Sequence, residues 1–225
     1  GGGTIDITGT LTNAGTILSD TTLAITAGTI NNNASGGIQS AQGTSATIGT
    51  LTNAGAIIAG TSAGNSGTFT IGTLTNSGSM QSAEDLTLNV TSALTNSGKL
   101  LALDDLTIAA GSGSTLSVAN QSGAFIQAGD ALAINGNGSG YNTSITTQAG
   151  TVYANSISAR LTDMTTSGLV QAGSGGANLG LTGTLTNTGN LLTSGALTVN
   201  ANALTNSGGM QSAQSANVVA NSLSN

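Results

Sequence analysis

The stretch Leu94–Ile108 reads Leu-Thr-Asn-Ser-Gly-Lys-Leu-Leu-Ala-Leu-Asp-Asp-Leu-Thr-Ile and carries the pattern that decides the fold. Its first five residues form the pentapeptide Leu-Thr-Asn-x-Gly, and further copies begin at Leu11, Leu51, Leu74, Leu185 and Leu204. Weaker copies place the final glycine, here called the anchor, at Gly36, Gly123, Gly150 and Gly168. The nine intervals from the first anchor, Gly15, to the last, Gly208, average about 21 residues, a period typical of solenoids.

Positions outside the pentapeptide support the same register. Two residues after each anchor stands an apolar residue: Ile17, Ile38, Ile57, Met80, Leu100, Phe125, Val152, Val170, Leu191 and Met210. Two residues further on, nearly all side chains are small, as at Ser19, Ser40 and Ala59. Around Phe125 the pattern fits better if one residue is bulged out of its strand.

Each repeat offers three short strands. After the apolar residue beside the anchor comes an alternating stretch such as Leu86-Thr-Leu88, and then Thr-Leu-Thr before Asn-x-Gly. Strands this short keep a constant register only if each one stacks in parallel on its equivalent one repeat later, about 4.8 Å away. Residues 1–225 are therefore predicted to form a single all-β domain, a parallel β-helix of about ten to eleven coils with roughly 20 residues per coil.

The asparagine two places before the anchor is expected to form a ladder along one corner. Stacked Asn amides hydrogen-bond to one another in cross-β structures, and Asn tolerates sharp turns. The predicted ladder contains Asn13, Asn53, Asn76, Asn96, Asn187 and Asn206.

Composition excludes several classes of partner. Only 4% of the residues are charged, the formal net charge is −6, and Lys99 and Arg160 are the only cations. A nucleic-acid or anionic-lipid surface needs a basic stripe, so neither partner is expected. No apolar run is long enough to span a membrane as a helix. The chain has no cysteine, which excludes disulfides and thiolate metal sites.

The repeats resemble those of filamentous haemagglutinin and of the contact-dependent growth inhibition exoproteins, most closely in Leu94–Ile108. The resemblance implies a right-handed β-helical filament, which also agrees with the general rule for parallel crossovers. It further implies export by an outer-membrane two-partner-secretion transporter, and display on or secretion from a Gram-negative cell. Family motifs for secretion (Asn-Pro-Asn) are absent because the chain has no proline. We therefore expect a shaft segment of a longer adhesin that extends a filament for cell contact, with an unnamed host or bacterial receptor.

Acidic residues form the single candidate for chemistry. Glu84-Asp85 and Asp104-Asp105 lie 20 residues apart, and Asp130 is a further candidate for the same column, so stacked coils would bring these carboxylates close together. A separation of about 5 Å occurs in retaining glycosidases, which leaves a carbohydrate-binding or carbohydrate-active β-helix as the alternative function. Clustered carboxylates also suit Ca²⁺, which leaves cation binding open.

A structural role for these acids is favoured. The chain has no histidine, and Lys99 and Arg160 lie roughly three coils apart, so no second polar shell would separate the pKa values of two exposed acids. Asp before a strand commonly forms an Asx-turn. We therefore predict that the protein is not an enzyme, and we assign it no catalytic, cofactor-binding or metal-ligating residue.

Three surface features complete the prediction. Thr-Leu-Thr begins at Thr10, Thr50, Thr73 and Thr184 and resembles the ice-binding arrays of antifreeze β-helices, but Ala replaces its first Thr at Ala93 and Ala203. Two longer turns, Gly60–Ser66 and Asn135–Ser144 with Tyr141, are expected to be surface insertions or a binding face. Uncovered strands at both ends predict end-to-end self-association of the isolated chain.

Overall fold

A computed structural model describes residues 2–135 and 141–225. These residues form 23 strands and, across the described ranges, no helix. The strands are β1 (Gly3–Asn13), β2 (Thr16–Ser19), β3 (Leu23–Asn32), β4 (Gly37–Ser40), β5 (Thr44–Asn53), β6 (Ala56–Ala59), β7 (Gly67–Asn76), β8 (Ser79–Ser82), β9 (Leu86–Asn96), β10 (Lys99–Ala102), β11 (Leu106–Ala110), β12 (Leu116–Asn120), β13 (Phe125–Ala128), β14 (Ala131–Asn135), β15 (Thr143–Gln148), β16 (Thr151–Leu161), β17 (Met164–Thr166), β18 (Leu169–Leu181), β19 (Thr184–Asn187), β20 (Asn190–Thr193), β21 (Leu197–Asn206), β22 (Gly209–Ser212) and β23 (Ala216–Ser224).

The strands stack into three faces, each parallel throughout. Face A consists of the four-residue strands that follow the anchors (β2, β4, β6, β8, β10, β13, β20, β22) and the first halves of β16 and β18. Face B contains β11, β14, the second halves of β16 and β18, and the first halves of the other long strands. Face C contains β12, β15, β17, β19 and the remaining second halves.

One coil runs through faces A, B and C and then repeats. The result is a β-solenoid of about 11 turns with coils about 20 residues apart, which confirms the predicted all-β parallel architecture. The first coil, in β1, pairs only with β3, and the last, in β23, pairs only with β21. Each end of the described stack is therefore an open strand edge. No helix in the described ranges is long and apolar enough to cross a membrane.

The interior is a column of apolar side chains. In β9, Leu86, Leu88 and Val90 are buried while Thr87 and Asn89 point outward, and the same alternation recurs in coil after coil. Complete burial of one such aliphatic side chain stabilises the fold by about 1.5–3 kcal/mol. Because the column is continuous, every coil buries its apolar face against the coils before and after it.

Strand β13 begins one residue later, relative to its anchor, than the other face A strands do. Leu100 pairs with Ile126, and Lys99 pairs with Phe125. Phe125 is 43% exposed while Ile126 is buried, so the unbulged register that would bury Phe125 is wrong. The alternative register, with one extra residue in this turn, is confirmed.

The asparagine ladder is present and is longer than predicted. Each Nδ2 group donates to the Oδ1 of the next coil, at 2.8 Å from Asn76 to Asn96 and again from Asn96 to Asn120. Each amide also donates to a backbone carbonyl of the next coil, as Asn76 does to Lys99. The run includes Asn32 and Asn120, continues to Gln148, and resumes from Asn187 through Asn206 to Asn225.

The ladder is interrupted at Thr166, which takes the place of an asparagine between Gln148 and Asn187. The Thr166 hydroxyl donates backwards, to the Gln148 carbonyl at 3.3 Å. Asn187 Oδ1 therefore receives no hydrogen bond, although it is buried. An unsatisfied buried acceptor of this kind costs about 1–3 kcal/mol.

The anchor glycines are required by close backbone approach. A Cβ atom built on Gly98 would overlap the backbone carbonyl of Gly78, and one on Gly78 would overlap that of Gly55. Consecutive anchors thus stack directly on one another beside the ladder. Gly15, in the first coil, has open space where its Cβ would be. The Leu-Thr-Asn-x-Gly pentapeptide therefore combines a buried leucine, a ladder amide and a corner that admits no side chain.

Candidate functional surface

The predicted acidic column lies at the corner between faces A and B. Carboxylate oxygens of Asp104, Asp105 and Asp130 lie within 4.8 Å of one another. Desolvation raises the pKa of Asp104, and the neighbouring carboxylates of Asp105, Glu84, Asp85 and Asp130 raise it further. The structure thus brings together the acids that the 20-residue spacing placed in one column.

These carboxylates bond to neighbouring coils. Asp85 Oδ1 accepts the Asp105 N–H at 3.3 Å, and Asp105 Oδ1 accepts the Ala131 N–H at 2.9 Å. Asp130 Oδ1 accepts a hydrogen bond from Asn155 Nδ2 at 3.0 Å. The expected Asx-turn would instead use an N–H of the same turn. The acids therefore join one coil to the next through hydrogen bonds.

The two longer turns differ in how they are held. In the first, Gly64 donates its N–H to Glu84 Oε2 at 2.8 Å, so the insertion is tied to the acidic corner. Residues 136–140 of the second insertion lie outside the described residues. Beyond them, the Arg160 guanidinium lies 5.0 Å from the centroid of the Tyr141 ring, a cation–π arrangement. Arg160 belongs to face B and Lys99 to face A, so the two cations do not converge on the acids.

The outward threonines of face C form a short array. Thr10, Thr29, Thr50 and Thr73 pair in register through four successive coils, and Ala93 ends the run. The predicted interruption at Ala93 is confirmed. Thr29 escaped the sequence analysis because its coil reads Thr-Ile-Asn rather than Thr-Leu-Thr.

Face A carries an outward column that the sequence analysis missed. It lies three residues after the anchor, or four in the bulged coil of Phe125, and its members pair in register from β2 to β22. Counted from β2 as the first, the odd coils carry large apolar residues: Leu18, Ile58, Leu101, Tyr153 and Leu192. The even coils carry glutamine: Gln39, Gln81, Gln127, Gln171 and Gln211. The glutamines lie about 43 residues apart, which is two coils, so comparing each coil with the next conceals the pattern.

Two shallow grooves lie on this column. One is lined by Ile58, Gln81 and Leu101 together with Leu103. The other is lined by Tyr153, Gln171, Leu192 and Gln211. Both therefore repeat the same alternation of apolar and amide side chains.

In comparisons with known proteins, no family model, no curated protein and no solved structure matches the chain.

Proposed function

We propose that this chain is a shaft segment of a secreted or surface-displayed exoprotein of a Gram-negative bacterium, which extends a filament for cell contact or adhesion. The observation that carries the proposal is the stacking of parallel coils into a solenoid of about 11 turns. A rod of this kind gains length by adding coils, without any new fold. Eleven coils spaced by about 4.8 Å give a rod about 50 Å long.

The described surface fits a shaft better than a catalyst. The acids form inter-coil hydrogen bonds on an exposed corner, and the longest polar network, the Asn ladder, is internal and structural. We accordingly propose that the protein is not an enzyme. Its partners would be an outer-membrane two-partner-secretion transporter during export and a receptor on a host or bacterial cell.

The way the coils are stabilised is compatible with export of this segment. The coils depend mainly on contacts with adjacent coils, so the rod can build up from one end as the chain emerges.

The export proposal is tested in a Gram-negative host that expresses a two-partner-secretion transporter. The chain is placed between the cognate secretion domain and an epitope tag. We expect the tag to be labelled by antibody on intact cells, and to be unlabelled when the transporter is omitted. Retention of a folded chain in the periplasm, with the transporter present and exporting its own substrate, would contradict the proposal.

A carbohydrate-binding or carbohydrate-active solenoid is the second candidate. The spacing of carboxylates within 4.8 Å and the raised pKa of Asp104 are the observations that favour it. Incubation with a panel of plant and bacterial polysaccharides, followed by measurement of reducing ends, tests activity. We expect no turnover; release of sugar that is abolished by Asp104→Asn would replace the shaft proposal with an enzymatic one.

A further inference from the structure

The alternation on face A has no explanation in the interior of the solenoid. The column faces outward, and Leu18 and Tyr153 are 60% and 40% exposed. Core packing therefore cannot select an apolar residue in every odd coil and glutamine in every even coil. Outward apolar residues that recur along one face, here exposed or half-buried, are typical of an interaction surface.

Face A is also nearly free of charge. Among the outward residues of its strands, Lys99 is the only charged one in the part of the chain that the structure describes. The acids lie just beyond the strand ends, at the corner with face B. A surface of apolar, amide and small side chains on a parallel sheet is the kind that packs against a second such sheet with interdigitated side chains.

We propose that face A is a dimer interface, on which a second copy of this chain docks side by side, with the two rods parallel and a two-fold axis along them. In this arrangement each coil faces the same coil of the second copy. Each member of the column then meets its own equivalent, so apolar residues contact apolar residues. Each glutamine faces a glutamine, and because an amide both donates and accepts, the two can bond reciprocally.

Steric fit supports the parallel arrangement. A two-fold axis through the column places the residue at the start of each face A strand opposite the residue four positions later in the second copy. The exposed Phe125 then faces Gly129, and Leu169 faces Gly173. In both pairs, a large apolar side chain at the start of a strand meets a glycine.

Charge supports it as well. The same operation brings Lys99 of each copy to Leu103 of the other, directly beside the acids Asp104 and Asp105. The antiparallel arrangement would instead place the two acidic corners on the same side of the interface and near the same height. Like charges would then face each other, which is unfavourable.

The area is sufficient for a dimer. Ten strands spaced by about 4.8 Å give a face about 43 Å long, and four residue steps give a width of about 13 Å. The face therefore offers about 560 Å² on each copy, and about 1,100 Å² in total, which is above the roughly 1,000 Å² that a specific interface needs.

Cysteine cross-linking tests the proposal, because the chain has no native cysteine. We expect Gln39→Cys and Gln171→Cys each to form a disulfide-linked homodimer on mild oxidation, well above the level of the exposed face C control Thr52→Cys. A mixture of the two variants should give no 39–171 cross-link. That cross-link belongs to an antiparallel pair with glutamines aligned, and its appearance would overturn the proposal. Cross-linking no greater than in Thr52→Cys would overturn it too.

Sedimentation of the unmodified chain supplies an independent measure. We expect a monomer–dimer equilibrium that Leu101→Asp shifts at least tenfold toward monomer, while Thr75→Asp on face C leaves it unchanged. Lys99→Glu should weaken the dimer more at low salt than at high salt. Circular dichroism checks that each variant retains its β-sheet. An equilibrium unaffected by Leu101→Asp in a folded chain would contradict the interface, whatever end-to-end association also occurs.

Discussion

Thr166→Asn should stabilise the protein, because it completes the asparagine ladder. The new amide would lie between Gln148 and Asn187, and its Nδ2 group would donate to the buried Asn187 Oδ1 that has no partner in the native chain. Gln148 Nε2 already lies 3.0 Å from the Gly150 carbonyl and 3.1 Å from the Leu169 carbonyl, in the position that ladder amides occupy elsewhere. It is therefore placed to donate to the new Oδ1.

The magnitude follows from three contributions. Satisfying the orphaned acceptor recovers about 1–3 kcal/mol. Removing the Thr166 hydroxyl loses little, because its acceptor, the Gln148 carbonyl, already receives the N–H groups of Ser167 and Gly168 at 2.8 Å each. Loss of a buried methyl group and of strand propensity offsets part of the gain, by about 0.8 kcal/mol for a CH₂-sized group. We expect a net stabilisation of about 1 kcal/mol, or about 2–4 °C in Tm.

Urea unfolding followed by circular dichroism measures this change, and hydrogen exchange of the amides in β17 and β19 localises it. The matched control is Thr165→Asn, which makes the same chemical change on the exposed outer side of β17. A Thr166→Asn variant no more stable than Thr165→Asn would refute the reasoning, since the ladder would then not determine the stability of this corner.

Three further predictions follow from the same geometry. Asn76→Ala removes donors to Asn96 Oδ1 and to the Lys99 carbonyl, and should lower the free energy of unfolding by about 3 kcal/mol in denaturant titration; a loss below 0.5 kcal/mol would contradict the ladder's role. Gly98→Ala forces a Cβ against the Gly78 carbonyl and should lower the free energy of unfolding by about 1–3 kcal/mol. Gly15→Ala should leave it nearly unchanged in the same titration. The raised pKa of Asp104 means that the folded state binds its proton more tightly than the unfolded state, so stability should fall as pH rises from 3.8 through that raised pKa. Asp104→Asn should flatten this part of the pH–stability curve, and an unchanged slope would count against the crowding of carboxylates at this corner.

Much of the fold was predictable because the pentapeptide marks the same three structural events in many coils. The leucine fills the interior, the asparagine continues the ladder, and the glycine admits the next backbone. Where a coil keeps these residues, as at Leu94–Gly98, the predicted and observed positions agree.

The ladder was less predictable where turn length varies. Asn32 stands four residues before its anchor and Asn120 stands three before, so a fixed offset of two misses both. At Gln148 and Thr166 the offset is kept and the side chain changes. Asn187 Oδ1 receives no hydrogen bond because the Thr166 hydroxyl donates to the Gln148 carbonyl of the preceding coil. The direction in which a hydroxyl donates depends on local geometry that residue spacing does not encode.

The acidic corner shows a similar division. Equal spacing of Glu84-Asp85 and Asp104-Asp105 was enough to place these acids in one column, in which Asp85 accepts the Asp105 N–H. The N–H groups that donate hydrogen bonds to these carboxylates are set by how the backbone enters the next strand. The hydrogen bond from the Ala131 N–H to Asp105 was therefore not foreseeable. The face A alternation was visible in the sequence at a two-coil period.

Comparing the lengths of two rods is the most direct test of the stacked-coil architecture. Small-angle X-ray scattering is recorded from the 225-residue chain and from a variant lacking residues 56–98. The deletion removes two whole coils and joins the anchor Gly55 to Lys99, the residue that follows the anchor Gly98. We expect a folded, β-rich variant that is shorter by about 10 Å with an unchanged cross-section, because each coil adds about 4.8 Å. An unfolded variant, or a compact particle whose length does not change with the deletion, would contradict the stacked-coil shaft.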